Sequence, residues 1–190
     1  MTGLDRFDDD LMARARANLA TFERRALAAD GRKPAAVAVV LLADERGRAC
    51  FLLTRRAAGL RAHAEQWALP GGRIDEGESP ERAALRETAE EVGLARGEES
   101  VLGLLDDYPT RSGFVITPVV VWGGSDPRLV ANPAEVSRIY RVPLVDLEQP
   151  GVPGVITIPE SRRPVIELPL LSTQIYAPTA AILYQMREVV

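Results

Sequence analysis

Apolar residues recur along this chain in two rhythms, one helical and one of strands, and the change from one to the other marks its elements. Between residues 4 and 29, Leu11, Ala15, Leu19 and Phe22 fall at helical spacing with Asp, Arg and Glu on the other side. This predicts an amphipathic helix lying on the main domain or on a second copy of it. Asp-Gly-Arg-Lys-Pro at 30–34 is a turn and the first boundary, so residues 1–33 read as an N-terminal helical extension and 34–190 as the main domain. Two β-rich runs follow, 35–43 and 49–54, and the polar loop 44–48 joins them as a hairpin. Residues 101–107 and 114–122 predict another strand pair around Pro-Thr-Arg-Ser-Gly, and 135–142 a further strand. Residues 152–158 and 164–168 suggest a small terminal hairpin, and from Pro178 the run AAILYQMREVV reads as a closing helix.

The stretch between the strand pairs carries the chemistry. Ser79 and Pro80 mark a helix start, since Pro tolerates the first turn and biases Ser79 toward the extended geometry of a cap; Gly93 marks the end. Within it Ala83, Ala84, Thr88 and Val92 can face a core, while Glu87, Glu90 and Glu91 share one face, their Cβ atoms roughly 5–6 Å apart. Alone, such a triplet is ordinarily a solvated acidic face. Like charges so placed cost a few tenths of a kcal/mol each, which a divalent cation would relieve, and oxygen ligands suit Mg²⁺ or Mn²⁺ rather than zinc.

Composition narrows the partners. A chain of 190 residues, 46% hydrophobic and 26% charged, suits one globular domain, and a net charge of −4 offers no bulk attraction for nucleic acid. The expected partner is a small molecule. Only Lys33 among the 23 basic residues is a lysine, so arginine is this chain's general cation and no single arginine is marked by its identity alone. The lone Cys50 excludes an intramolecular disulfide, and its flank ACFLL predicts a buried thiol, as a reducing cytoplasm allows. The N-terminus lacks a basic-then-apolar signal pattern, and the run Ala35 to Ala43 is too short to span a bilayer, so no membrane association is expected. Residues 4–29 are where two copies would pair into a homodimer.

The spacing of the acidic helix adds a resemblance. Five residues separate Gly72 from Glu78 and seven separate Glu78 from Arg86, so that 72–94 fits G-x5-E-x7-R-E-U-x-E-E-x-G-U. This resembles the Nudix box, with one departure, Thr88 in place of an aliphatic residue. Upstream, LLTRRAAGLRAHAEQWALPGG at 52–72 is similar to the additional signature of the family's coenzyme A diphosphatases, LLTxRSxxLRxHxGQVxFPGG. Leu52, Leu53, Thr54, Arg56, Leu60, Arg61, His63, Gln66, Pro70, Gly71 and Gly72 match, and Ala57, Glu65, Trp67 and Leu69 depart from Ser, Gly, Val and Phe. IYAPTAAIL at 175–183 is similar to the segment that closes those enzymes.

The resemblance covers roughly residues 35–185 and implies an α/β fold, the Nudix α/β/α sandwich with a mixed β-sheet between helices. It implies metal-dependent hydrolysis of a nucleoside diphosphate linked to another moiety. The substrate would be coenzyme A or acyl-CoA; the alternatives are ADP-ribose, a nucleotide sugar or a nucleoside triphosphate, or a nucleotide-sensing module without catalysis. Mg²⁺ or Mn²⁺ would be bound by Glu87 and Glu91, with Glu90 contributing and Gly72 giving backbone access. Arg86 would fix a neighbouring glutamate, and Glu78 would help hold loop and helix together. The general base is a box glutamate or Glu135, which sits where an additional ligand or base is usual. Arg56 and Arg61 would hold phosphate oxygens, His63 would donate to a phosphate, orient a neighbour or tie down its loop, Gln66 would belong to the substrate-binding set, and Gly71 and Gly72 would let backbone approach the diphosphate. Trp67 is expected in the core rather than stacked on a base.

Overall fold

Two strands with scarcely a polar side chain form the centre of the computed structural model, which describes residues 4–60, 63–157 and 164–190. The element order is α1 (Asp9–Thr21), β1 (Lys33–Ala43), β2 (Ala49–Arg56), β3 (Trp67–Ala68), β4 (Gly71–Arg73) and α2 (Pro80–Val92). There follow β5 (Val101–Leu104), β6 (Tyr108–Pro109), β7 (Phe114–Gly124) and β8 (Val136–Pro143). The chain then adds β9 (Gly154–Ile156), β10 (Val165–Leu170), β11 (Thr173–Tyr176) and α3 (Thr179–Val189).

β1 runs parallel to β7 along its length, and every other pairing in the main sheet is antiparallel. β1 and β2 form the expected hairpin but pair only at Leu41↔Phe51, Leu42↔Cys50 and Ala43↔Ala49 before they diverge. Residues 67–73 fill the gap, with β3 pairing to β2 and β4 to β1. The Ala38 N–H donates to the Pro70 carbonyl at 2.8 Å inside this wedge. Gly71 fits there because it has no side chain, since a Cβ would stand 2.7 Å from the Val37 Cα. The wedge therefore delivers residues 71–73 to the start of the acidic segment at fixed register.

Helices cover both faces, giving the α/β/α layering. α2 closes one face over a core of small and branched side chains, among them Ala36, Ala38, Val40, Ala83, Ala84 and Val119. α1 and α3 close the other over larger ones, including Leu11, Phe51, Leu53, Leu105, Leu183 and Met186. Trp67 packs against this second cluster, and Cys50 is fully buried, its thiol pushed up to about 11 chiefly by burial.

Three details differ from the sequence reading. α1 is shorter than the 4–29 span: Asp8 caps it through Leu11 N at 3.0 Å, and the chain becomes extended from Phe22. There Arg25 N and Leu27 N donate to the carboxylates of Asp106 and Asp107 at 2.8 and 2.7 Å, bonds that replace further helical ones. The same aspartates interrupt the predicted strand 101–107, leaving β5 and β6 separate. The terminal hairpin acquires a third strand, since β10 pairs with both β9 and β11.

Candidate active site

α2 begins and ends on residues suited to those positions. Ser79 Oγ accepts from Arg82 N at 3.3 Å, Pro80 occupies the first turn, and Gly93 closes the helix at φ 70°. Ala83, Ala84 and Val92 are fully buried, which holds the helix close to the sheet. Thr88, the departure from an aliphatic residue, is buried too, and its hydroxyl donates to the Ala84 carbonyl at 2.6 Å. Its polar atom is thus satisfied within the helix.

Arg86 fastens the preceding loop to this helix. Its Nε and Nη2 donate to the two Glu78 oxygens at 2.9 Å each, Nη1 donates to Glu87 Oε1 at 2.7 Å, and Nη2 also reaches the Arg73 carbonyl at 3.1 Å. Such forked, charge-assisted bonds fix direction as well as distance. The guanidinium holds the Glu78 carboxyl below the usual carboxylate range, and Glu78 in turn accepts from Asp75 N at 3.0 Å. Glu90 is mostly exposed and lies 3.5 Å from Arg86 Nη1, so its carboxylate belongs to this network.

Glu87, Glu91 and Glu135 converge instead: one carboxylate oxygen from each lies within 4.8 Å of the others. Glu91 is only 3% exposed, and its carboxyl is pushed up to about 8. Burial is the largest cause and repulsion from Glu87 and Glu135 adds to it, while the Arg56 charge and a bond from Gly71 N–H pull the other way. A Cβ on Gly72 would occupy the space of the Glu87 carboxylate, so the glycine is what lets that side chain lie against β4.

Glu135 reaches the cluster through a turn tied to the end of α2. Val130 N donates to the Val92 carbonyl and Asn132 N to the Glu91 carbonyl, each at 2.9 Å. Asn132 Nδ2 then donates to Glu135 Oε1 at 3.3 Å. Asn132 was not among the residues singled out from sequence; its only signal was the turn-forming Asn-Pro pair.

The upstream loop closes beside the cluster, where Arg56 N donates to the Gln66 carbonyl at 3.0 Å. Arg56 Nε is buried with no hydrogen-bond partner among the described residues, leaving one donor available near Glu91. His63 and Gln66 are exposed and bond to each other, Nδ1 to Oε1 at 2.9 Å. Arg61 lies outside the described residues.

A NUDIX domain model matches residues 32–164, well over half of the sequence. The chain belongs to the Nudix family. Curated relatives include an uncharacterized Nudix hydrolase NudL of Photorhabdus laumondii, 40% identical over 60% of this chain and 61% of that protein. Nudix hydrolase 3 of Caenorhabditis elegans is 36% identical over 64% of this chain and 52% of the relative. The chain thus spans about half to three-fifths of the length of these relatives. A MutT/nudix family protein from Enterococcus faecalis shares the fold, with a TM-score of 0.58 at 14% identity over 95% of this chain and 74% of the other.

The Nudix carboxylates fit a divalent cation. Three oxygen donors meet within 4.8 Å, one of them on a side chain whose burial strongly disfavours its charge, and Arg56 and the Gly71 N–H offset this only in part. A cation supplies the missing charge.

Proposed function

We propose that this chain hydrolyses a nucleoside diphosphate joined to another moiety, with coenzyme A or acyl-CoA as substrate and 3′,5′-ADP and 4′-phosphopantetheine, or its acyl form, as products. The observation that carries the reading is the buried Glu91 carboxylate, grouped with Glu87 and Glu135 beside Arg56, whose Nε has no hydrogen-bond partner among the described residues. Glu87, Glu91 and Glu135 would hold Mg²⁺ or Mn²⁺, which would supply charge neutralisation for the diphosphate and a more acidic water. Arg86 holds the Glu87 carboxylate at 2.7 Å, and through Glu78 it keeps loop 73–78 against the helix. Gly71 and Gly72 bring bare backbone up to Glu91 and Glu87. Arg56 takes a phosphate oxygen through its guanidinium, and Arg61 is a second anion ligand. His63, with Gln66 as its partner, orients its own loop. The proton from the attacking water goes to Glu135 or to a box glutamate; Glu90, outside the cluster and next to Arg86, tunes the network that holds Glu87. The enzyme acts on a small nucleotide in the cytoplasm.

The departures at Ala57, Glu65 and Trp67 favour a second reading, in which the same chemistry is applied to ADP-ribose, a nucleotide sugar or a nucleoside triphosphate. Incubation with Mg²⁺ and CoA, ADP-ribose, NADH or dGTP, followed by chromatography, separates the two. Release of 3′,5′-ADP from CoA is expected. Cleavage of another compound but not of CoA would overturn the substrate, and cleavage of none would overturn the hydrolase.

A further inference from the structure

A second group of cations lies on the opposite face of the sheet from the carboxylates, where α3 meets β3. Along β2 the side chains alternate: Leu53 joins the core under α3 and Leu52 the core under α2, so Arg55 follows Leu53 while Arg56 turns toward Glu91. Arg55 stands directly opposite Arg138 on β8 and Trp67 on β3. The Arg55 guanidinium lies 5.1 Å from the Trp67 ring centre, Arg138 lies 5.2 Å from that of Tyr140, and the two rings are 4.8 Å apart. Thr179, at the start of α3, donates to the Trp67 carbonyl at 3.4 Å and fixes the platform.

Neither guanidinium has a carboxylate partner among the described residues, and the Trp67 indole N–H is buried with no acceptor there. Like charges facing each other on adjacent strands repel, so the pair lacks a compensating anion. The N–H edge of a guanidinium matches phosphate oxygens in a fork. Trp67 stands where the signature that this loop resembles has valine, and Arg55 at a variable position, so the arrangement is not part of that signature.

We propose that Arg55 and Arg138 bind the phosphomonoester of a nucleotide, at a site separate from the carboxylate cluster. The nucleotide identity rests on the proposed function; the anion site rests on the cluster itself. Calorimetry in EDTA, which removes any metal-dependent chemistry, tests it with 3′,5′-ADP as titrant and adenosine as the phosphate-free control. The wild type is expected to bind 3′,5′-ADP and not adenosine. Arg138→Gln, a surface change, weakens binding about threefold, and Arg55→Gln with Arg138→Gln at least tenfold, with the circular dichroism melt unchanged. Unaltered binding by the double variant, or none by the wild type, would overturn the site. Turnover then identifies the bearer of the phosphate. If it is the substrate's own, the double variant raises KM for CoA, leaves KM for 3′-dephospho-CoA unchanged, and alters neither kcat. Unchanged KM for both, with 3′,5′-ADP binding still lost, assigns the site to a separate phosphorylated ligand. If neither compound is cut, the hydrolase reading fails and the calorimetry alone decides the site.

Discussion

The two faces of the sheet are built on opposite plans. Under α2 the core is mostly alanine and valine, so the helix sits close to the strands and its glutamates meet Gly71, Gly72 and Arg56 at the sheet's end. Under α1 and α3 the core is mostly leucine, drawn from the sheet and from both ends of the chain. One face gives up apolar bulk to gain a dense charge network, and the other supplies the burial that tolerates it. Glu91 shows what the first face costs: a carboxylate 3% exposed among two others.

The faces should therefore fail differently. Leu183, fully buried under α3, is expected to lose about 2–5 kcal/mol of stability on change to Ala, read by denaturant unfolding, with kcat of the folded fraction unchanged. Gly72→Ala, which displaces Glu87, is expected to lower kcat/KM about 100-fold, under 3 kcal/mol, with a far smaller change in stability. Similar losses of stability and rate from both would erase the distinction.

Acidity separates the faces next. The folded chain keeps the Glu91 proton up to about pH 8, whereas the unfolded chain releases it near 4.5. Without a cation, the stability linked to this group is therefore complete below 4.5 and is lost as pH rises to about 8, by at most a few kcal/mol. Melting in EDTA from pH 5 to 8 should show the decline, and Glu91→Gln should flatten it; equal slopes would contradict the buried charge. Asn132→Ala should reduce kcat/KM about tenfold in the wild type and scarcely at all in a Glu135→Gln background, because it acts by directing Glu135. An undiminished loss in that background would make Asn132 merely structural.

The smallest effect concerns the upstream loop. Glu65, where the resembled signature has glycine, adopts φ 57°, a conformation glycine enters freely. Glu65→Gly should raise stability by up to about 1 kcal/mol, measured by thermal unfolding; a loss would show that the glutamate has a contact worth its strain.

What could be read from sequence follows the same division. The α2 face was legible because Gly72, Glu78, Arg86, Glu87 and Glu91 lie within one helix and its leading loop, where spacing translates directly into proximity. The strands were legible from their apolar runs. The parallel pairing of β1 with β7 was not, since it joins segments about 80 residues apart that carry no mark of partnership. The wedge of 67–73 and the clasp of Asp106 and Asp107 on residues 25–27 were equally hidden, because both replace regular structure by bonds between distant segments. Glu90 shows the limit of helical spacing: three glutamates share a face, yet the fold draws Glu87 and Glu91 toward Glu135 and leaves Glu90 with Arg86.

Calorimetric titration of Mg²⁺ into the nucleotide-bound protein tests most directly whether Glu87, Glu91 and Glu135 act as one site. Saturable uptake is expected, weakened at least tenfold by Glu91→Gln and also weakened by Glu87→Gln and Glu135→Gln. Uptake that ignores all three substitutions, or no uptake in the wild type, would contradict it.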